Sequence, residues 1–137
     1  MKIPGRTAFP LILSVCIAAL ALLGACATQP PVNPEDLSTG EVFQRAQDAA
    51  DQGDYSLAMR YYTLFQQKHP EDREHGAWAS YEIAFLYHKM GKNDTALALL
   101  TTLLDEYAKE GNALPPAPRI LAEKLKARLQ QSPLKTS

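Results

Sequence analysis

Residues 53–65, GDYSLAMRYYTLF, and residues 91–103, GKNDTALALLTTL, are one pattern written twice, 38 residues apart. Each copy starts with glycine. Five residues on comes alanine, Ala58 or Ala96. Nine on comes a large residue, Tyr62 or Leu100, and twelve on another, Phe65 or Leu103. Glycine accepts the left-handed backbone that ends a helix, so Gly53 and Gly91 mark the ends of preceding helices. The alanine suits the closest crossing of two helices, where a longer side chain would push them apart. The large residues then fill the wider space beyond the crossing.

The same steps run upstream. Ala46 and Ala49 precede Gly53 by seven and four residues, and Ala84 and Tyr87 precede Gly91 likewise. Pro70 closes the first copy, because proline has no N–H to donate and clashes with the preceding turn. Strand formation is not expected, since no run alternates with period two and β-branched residues are sparse. The sequence therefore predicts an all-α domain of helical hairpins, over residues 39–72 and 77–110. The four extra residues of the 38-residue spacing fall near 73–76. Beyond the proline-rich LPPAP (residues 114–118), Leu121, Leu125 and Leu129 recur every four residues beside Ile120. That stripe predicts a helix over 118–131 that caps the second hairpin.

These features resemble the tetratricopeptide repeat, a helix–turn–helix unit with a period of about 34 residues. The likeness covers residues 39–110, with departures. The second copy lacks the closing proline and has Asn93 where the family favours an aromatic residue. Arg45 stands where leucine is usual. The KHPED phrase (residues 68–72) and the Gly53-Asp54-Tyr55 turn resemble bacterial tetratricopeptide lipoproteins of the cell envelope. The resemblance implies a short solenoid that binds another protein. Repeat arrays generally need about three units for an independent core. Two units therefore call on the cap helix for folding and point to a partner chain for function.

The N-terminus carries a separate message. Residues 8–23 are apolar apart from Ser14, follow Lys2 and Arg6, and precede any acidic residue. The run is shorter than the roughly 20 apolar residues that span a bilayer. A basic start, a short apolar middle and small residues at its end describe a secretory signal. Leu23-Gly24-Ala25-Cys26 resembles a bacterial lipobox. That resemblance implies residues 1–25 as a lipoprotein signal peptide, Cys26 as the lipidated residue, and the membrane as a partner through acyl chains. Alternatives are a simple secreted protein or an uncleaved anchor, with Cys26 incidental. Ala27, rather than aspartate, follows the cysteine, which in Gram-negative lipoproteins favours the outer membrane facing the periplasm. Residues 26–38 hold three prolines and few large apolar groups, the composition of a flexible tether.

Charge and chemistry narrow the function further. Of 14 basic residues, Lys2 and Arg6 leave with the signal, so 12 face 15 acidic ones, a net of −3. No basic footprint for nucleic acid is present. Cys16 lies in the signal and Cys26 is the only other cysteine, which leaves the mature chain without disulfide chemistry. There is no phosphate loop, His-Glu-x-x-His or Gly-x-Ser-x-Gly motif. His69 and His75 flank a turn without metal-ligand spacing, and Asp48, Asp51, Asp105 and Glu106 read as solvated helix faces. No enzyme activity, cofactor or metal is expected.

The candidate site is a stripe: Trp78, Tyr81, Phe85 and His88, at steps of three, four and three along one helix face. Ile83, Ala84 and Tyr87 belong to another side, expected at the hairpin interface. In the resembling family the stripe's face is the concave groove that receives partner chains. Phe43, Gln47, Ala50 and Asp51 occupy the corresponding face of the first copy. Trp and Tyr are common at binding hot spots. The opposing reading is that the stripe is core covered by the C-terminal helix. The function expected is a lipid-anchored scaffold that binds an envelope protein, with an outer-membrane or secretion assembly complex as its setting. The alternatives are a small-molecule or lipid-binding accessory of a transporter, and an adaptor for a cell-wall enzyme.

Overall fold

A computed structural model describes residues 37–131 of the chain. The signal segment, Cys26 and most of the expected tether lie outside the described residues. Within them are five α-helices and no strand: α1 (Thr39–Asp51), α2 (Tyr55–Lys68), α3 (Arg73–Lys89), α4 (Asn93–Glu110) and α5 (Pro116–Gln131). A 3₁₀ turn, Gly111–Ala113, links α4 to α5. Consecutive helices pack against each other, and α5 lies against both α4 and α3.

Side-chain caps set where the first three helices begin. Ser38 caps α1 through a capping box with Glu41: the Ser38 hydroxyl accepts from the Glu41 N–H, and the Glu41 carboxylate accepts from the Ser38 N–H at 2.9 Å. Leu37 before the cap and Val42 in the first turn are buried in the same apolar cluster, the hydrophobic staple. The tether expected through residue 38 therefore ends sooner, because Leu37 is core and Ser38 is a cap. Asp54 and Asp72 cap α2 and α3 in turn, accepting from the backbone N–H of Leu57 and His75.

The Asp72 cap starts α3 at Arg73, not at 77, so the four extra residues form the first turn of the helix rather than part of the connection. Helix α5 also starts early, at Pro116 rather than 118. Pro116 and Pro118 both fall in its first turn, where a missing N–H leaves no helical bond unmade. Leu114 is buried beside α5, and the Tyr107 hydroxyl donates to the Pro115 carbonyl at 2.6 Å, pinning the connection.

The paired glycines end α1 and α3 with φ of +80° at Gly53 and +76° at Gly91, a region that a side chain disfavours. Ala58 and Ala96 are fully buried, as are Tyr62, Phe65, Leu100 and Leu103. The core forms two clusters that meet on α3. Ala79 and Leu86 join the cluster with α1 and α2, while Ala77 and Ala84 join the one with α4 and α5. Leu125 and Leu129 of α5 complete the second cluster, so the cap helix supplies burial that a third repeat would provide. Each large core side chain contributes about 1.5–3 kcal/mol of burial. No buried side-chain polar atom among the described residues lacks a hydrogen bond.

Candidate functional site

Helices α1 and α3 lie on either side of a groove made of two open depressions. One, of about 350 Å³, is bordered by Phe43 of α1 and by Glu74, His75, Trp78 and Glu82 of α3. The other, of about 270 Å³, is bordered by Gln47, Ala50 and Asp51 of α1, by Tyr55 and Tyr62 of α2, and by Glu82, Phe85 and Lys89 of α3. Glu82 belongs to both. On α3 it lies four residues after Trp78 and three before Phe85, one helical turn from each.

An aromatic cluster stiffens the first depression. The Phe43 ring meets Tyr62 edge-on at 5.2 Å, Phe65 at 5.3 Å and His75 at 5.6 Å. Such pairs add about 0.5–1.5 kcal/mol each beyond their area. His75 is held by Asp72, its Nδ1 lying 2.9 Å from Oδ2, and Phe65 also stacks obliquely on His69. The two histidines expected only to flank a turn thus close one end of this cluster. The backbone N–H of His75 is the main cause holding the Asp72 carboxyl below its usual range, with the His75 ring adding to it.

The second depression has a polar wall. The Gln47 amide donates to the Tyr62 hydroxyl at 2.7 Å, and Glu82 borders the same depression. Glu82 is half-buried. Burial pushes its carboxyl up, and the polar Gln47 side chain opposes this in part. Burial likewise raises the Tyr62 and Tyr81 hydroxyls, and the Glu82 charge adds to both shifts.

The structure divides the aromatic stripe. Tyr81, Phe85 and His88 form one run of rings, Tyr81 stacked on Phe85 at 6.2 Å and Phe85 near His88 at 6.3 Å. Tyr81 and Phe85 also pack against the second core cluster, and the Arg128 charge of α5 reaches Tyr81. The His88 Nδ1 lies 2.9 Å from the Asn93 Oδ1, which ties it to the turn between α3 and α4. Trp78 stands apart, in the first depression opposite Phe43. All four stripe residues are partly buried. Trp78 and Phe85 border the groove; Tyr81 leans toward the cap helix. Sequence reasoning passed over Glu82. Its signal was a carboxylate one turn from two members of an aromatic stripe.

A larger depression, of about 680 Å³, lies along α2. Met59, Tyr61 and Leu64 border it together with Ile83 and Tyr87 of α3. Among the described residues no cluster of potential ligands could hold a metal ion, and no helix is long and apolar enough to cross a membrane.

Comparison with known proteins agrees with this architecture. Residues 78–109 match the tetratricopeptide repeat family. The matched segment covers most of α3 and α4. The chain is 30% identical over 83 residues to the outer membrane protein assembly factor BamD of Neisseria meningitidis serogroup A, strain Z2491. It is 29% identical to that of Neisseria gonorrhoeae. Each alignment takes in 57% of this chain and 31% of the relative. An uncharacterized protein of Treponema pallidum, strain Nichols, is 32% identical over 107 residues, which are 72% of this chain and 43% of that protein. The chain spans about a third of the length of the BamD proteins. No solved structure matches it at a significant level.

Proposed function

We propose that this protein is a lipid-anchored scaffold of the bacterial cell envelope that holds a segment of another protein in the groove between α1 and α3. The groove carries the reading. It joins partly buried rings with a few fixed polar groups, the mixture found where proteins bind chain segments. The repeat supports a binding role, and the partial likeness to an outer membrane assembly factor supports an envelope setting. The scaffold has no chemistry of its own in this reading. Cys26 carries the acyl chains, two or three of which hold a protein firmly to a bilayer, and the side favoured is the outer membrane facing the periplasm.

Two experiments test the halves separately. Metabolic labelling with palmitate should mark the wild-type chain and spare Cys26→Ala, which should leave the membrane fraction; equal labelling would refute the anchor. Pull-down after crosslinking in intact cells should lose its specific partner with Trp78→Ala while circular dichroism stays helical. An unchanged partner would refute the groove.

A second reading attaches to the depression along α2, where Leu57, Met59, Leu64 and Ile83 offer apolar surface to a small greasy ligand and so suit an accessory role beside a transporter. Native mass spectrometry of the purified chain would show a retained lipid or metabolite in that case and bare protein otherwise. An adaptor for a cell-wall enzyme is a special case of the scaffold and would appear as a hydrolase in the pull-down.

A further inference from the structure

We infer that Glu82 is the anchor for a positively charged side chain, arginine above all, on the segment that occupies the α1–α3 groove. This rests on the groove being the partner site and adds the chemistry of what it accepts. Glu82 borders both depressions, so any chain laid along the groove passes over it. Its carboxylate is half-buried, forms no ion pair among the described residues, and has the polar Gln47 beside it at the second depression. A carboxylate can accept about four hydrogen bonds. Most of that capacity is unused and is directed to a place where water is partly excluded.

The surroundings select a cation. Trp78 stands a turn before Glu82 and Phe85 a turn after, on either side of the carboxylate. Aromatic faces attract cations, and the planar guanidinium both stacks on such rings and pairs with a carboxylate through two parallel bonds. The remaining charges of the groove agree. Glu74, Asp51 and Glu82 face a single ammonium, Lys89, at the far end. An acidic partner segment would meet like charge here, whereas a basic one is complementary. A half-buried acid without a counter-ion is costly to keep, and a partner's cation relieves that cost on binding.

The test uses the full chain in detergent and a random peptide library displayed on phage. Binders are selected on the wild type, and those that change the fluorescence of Trp78, the only tryptophan, are kept. The expected binders share an arginine or lysine at one fixed place. Replacing that arginine by citrulline, its neutral isostere, should weaken binding about 10-fold or more, as for hydrogen bonds to charged groups. Glu82→Gln should weaken the arginine peptide similarly and leave the citrulline peptide unchanged. The citrulline comparison leaves the protein untouched, so a folding defect in the variant cannot mimic it. Binders that perturb Trp78 but lack a shared basic residue, or that tolerate citrulline, would overturn the role of Glu82 and leave the groove standing. Binders that never perturb Trp78, or dimerisation of the chain abolished by Glu82→Gln, would overturn both.

Discussion

The Gln47 amide donates to the Tyr62 hydroxyl at 2.7 Å, joining α1 to α2 where both border the groove. Gln47 also borders the second depression with Glu82 of α3 and favours its charged form. One exposed glutamine thus bonds α2 and lies beside the carboxyl of α3 in the candidate site. Tyr62→Phe removes the hydroxyl but keeps the buried ring, and Gln47 is exposed enough for water to replace the bond. The expected loss is about 0.5–1.5 kcal/mol, read from urea denaturation. A loss of about 3 kcal/mol or more would mean that the network holds the core and not merely the groove wall.

Glu82 predicts a pH-dependent stability. Its folded-state pKa lies above the ordinary 4.5 because burial disfavours the charge. The folded chain therefore binds this proton more tightly than the unfolded chain does, and stability is lost as the pH rises from about 4.5 through the raised value. Glu82→Gln, which keeps the shape and removes the buried charge, should melt higher than wild type at neutral pH. The gap should close toward about pH 4, where Glu82 is protonated in both states. An equal Tm at neutral pH would mean that the carboxylate is solvated.

Ala58 and Ala96, which the repeat pattern places at the crossings of the two hairpins, are both fully buried. Enlarging either to leucine should cost about 1–3 kcal/mol through overpacking. Thermal melts followed by circular dichroism would show drops of roughly 4–8 °C per kcal/mol for a domain of this size. A neutral Ala96→Leu would mean that the second hairpin is not closed over that alanine.

Glycines at two kinds of position should respond in opposite directions. At Gly53 the φ is +80° and an added Cβ would meet nothing within 4 Å, so Gly53→Ala costs backbone strain alone, about 1–2 kcal/mol. Gly76 lies inside α3, where an added Cβ also meets nothing. Gly76→Ala should stabilise by about 0.5–1 kcal/mol. Equilibrium denaturation of the two variants beside wild type checks both signs.

Much of this fold was readable along the chain because the repeat pattern is a pattern of sizes. Gly53, Ala58, Tyr62 and Phe65 each state how much room a helix pair leaves at that point. The boundaries were less readable. Leu37 looks like part of a proline-rich tether until Val42 is seen beside it in the core, and α3 starts at Arg73 because the Asp72 side chain caps it. The stripe was found as a periodicity, but a period does not say which neighbour covers it. Helix α5 draws Tyr81 toward the second core cluster, while α1 leaves Trp78 in the groove. Glu82 was missed for a related reason. A lone carboxylate on a helix usually faces water, and only the neighbours that α1 and α2 bring to the depression show that this one is half-buried.

Site-specific photocrosslinking in living cells tests the central claim most directly. A photoreactive phenylalanine analogue placed at Trp78, in the groove, should capture a specific protein partner. The same analogue at Asp105, exposed on α4, should not. Capture at Asp105 with none at Trp78, or the same adducts at both, would contradict a partner seated between α1 and α3.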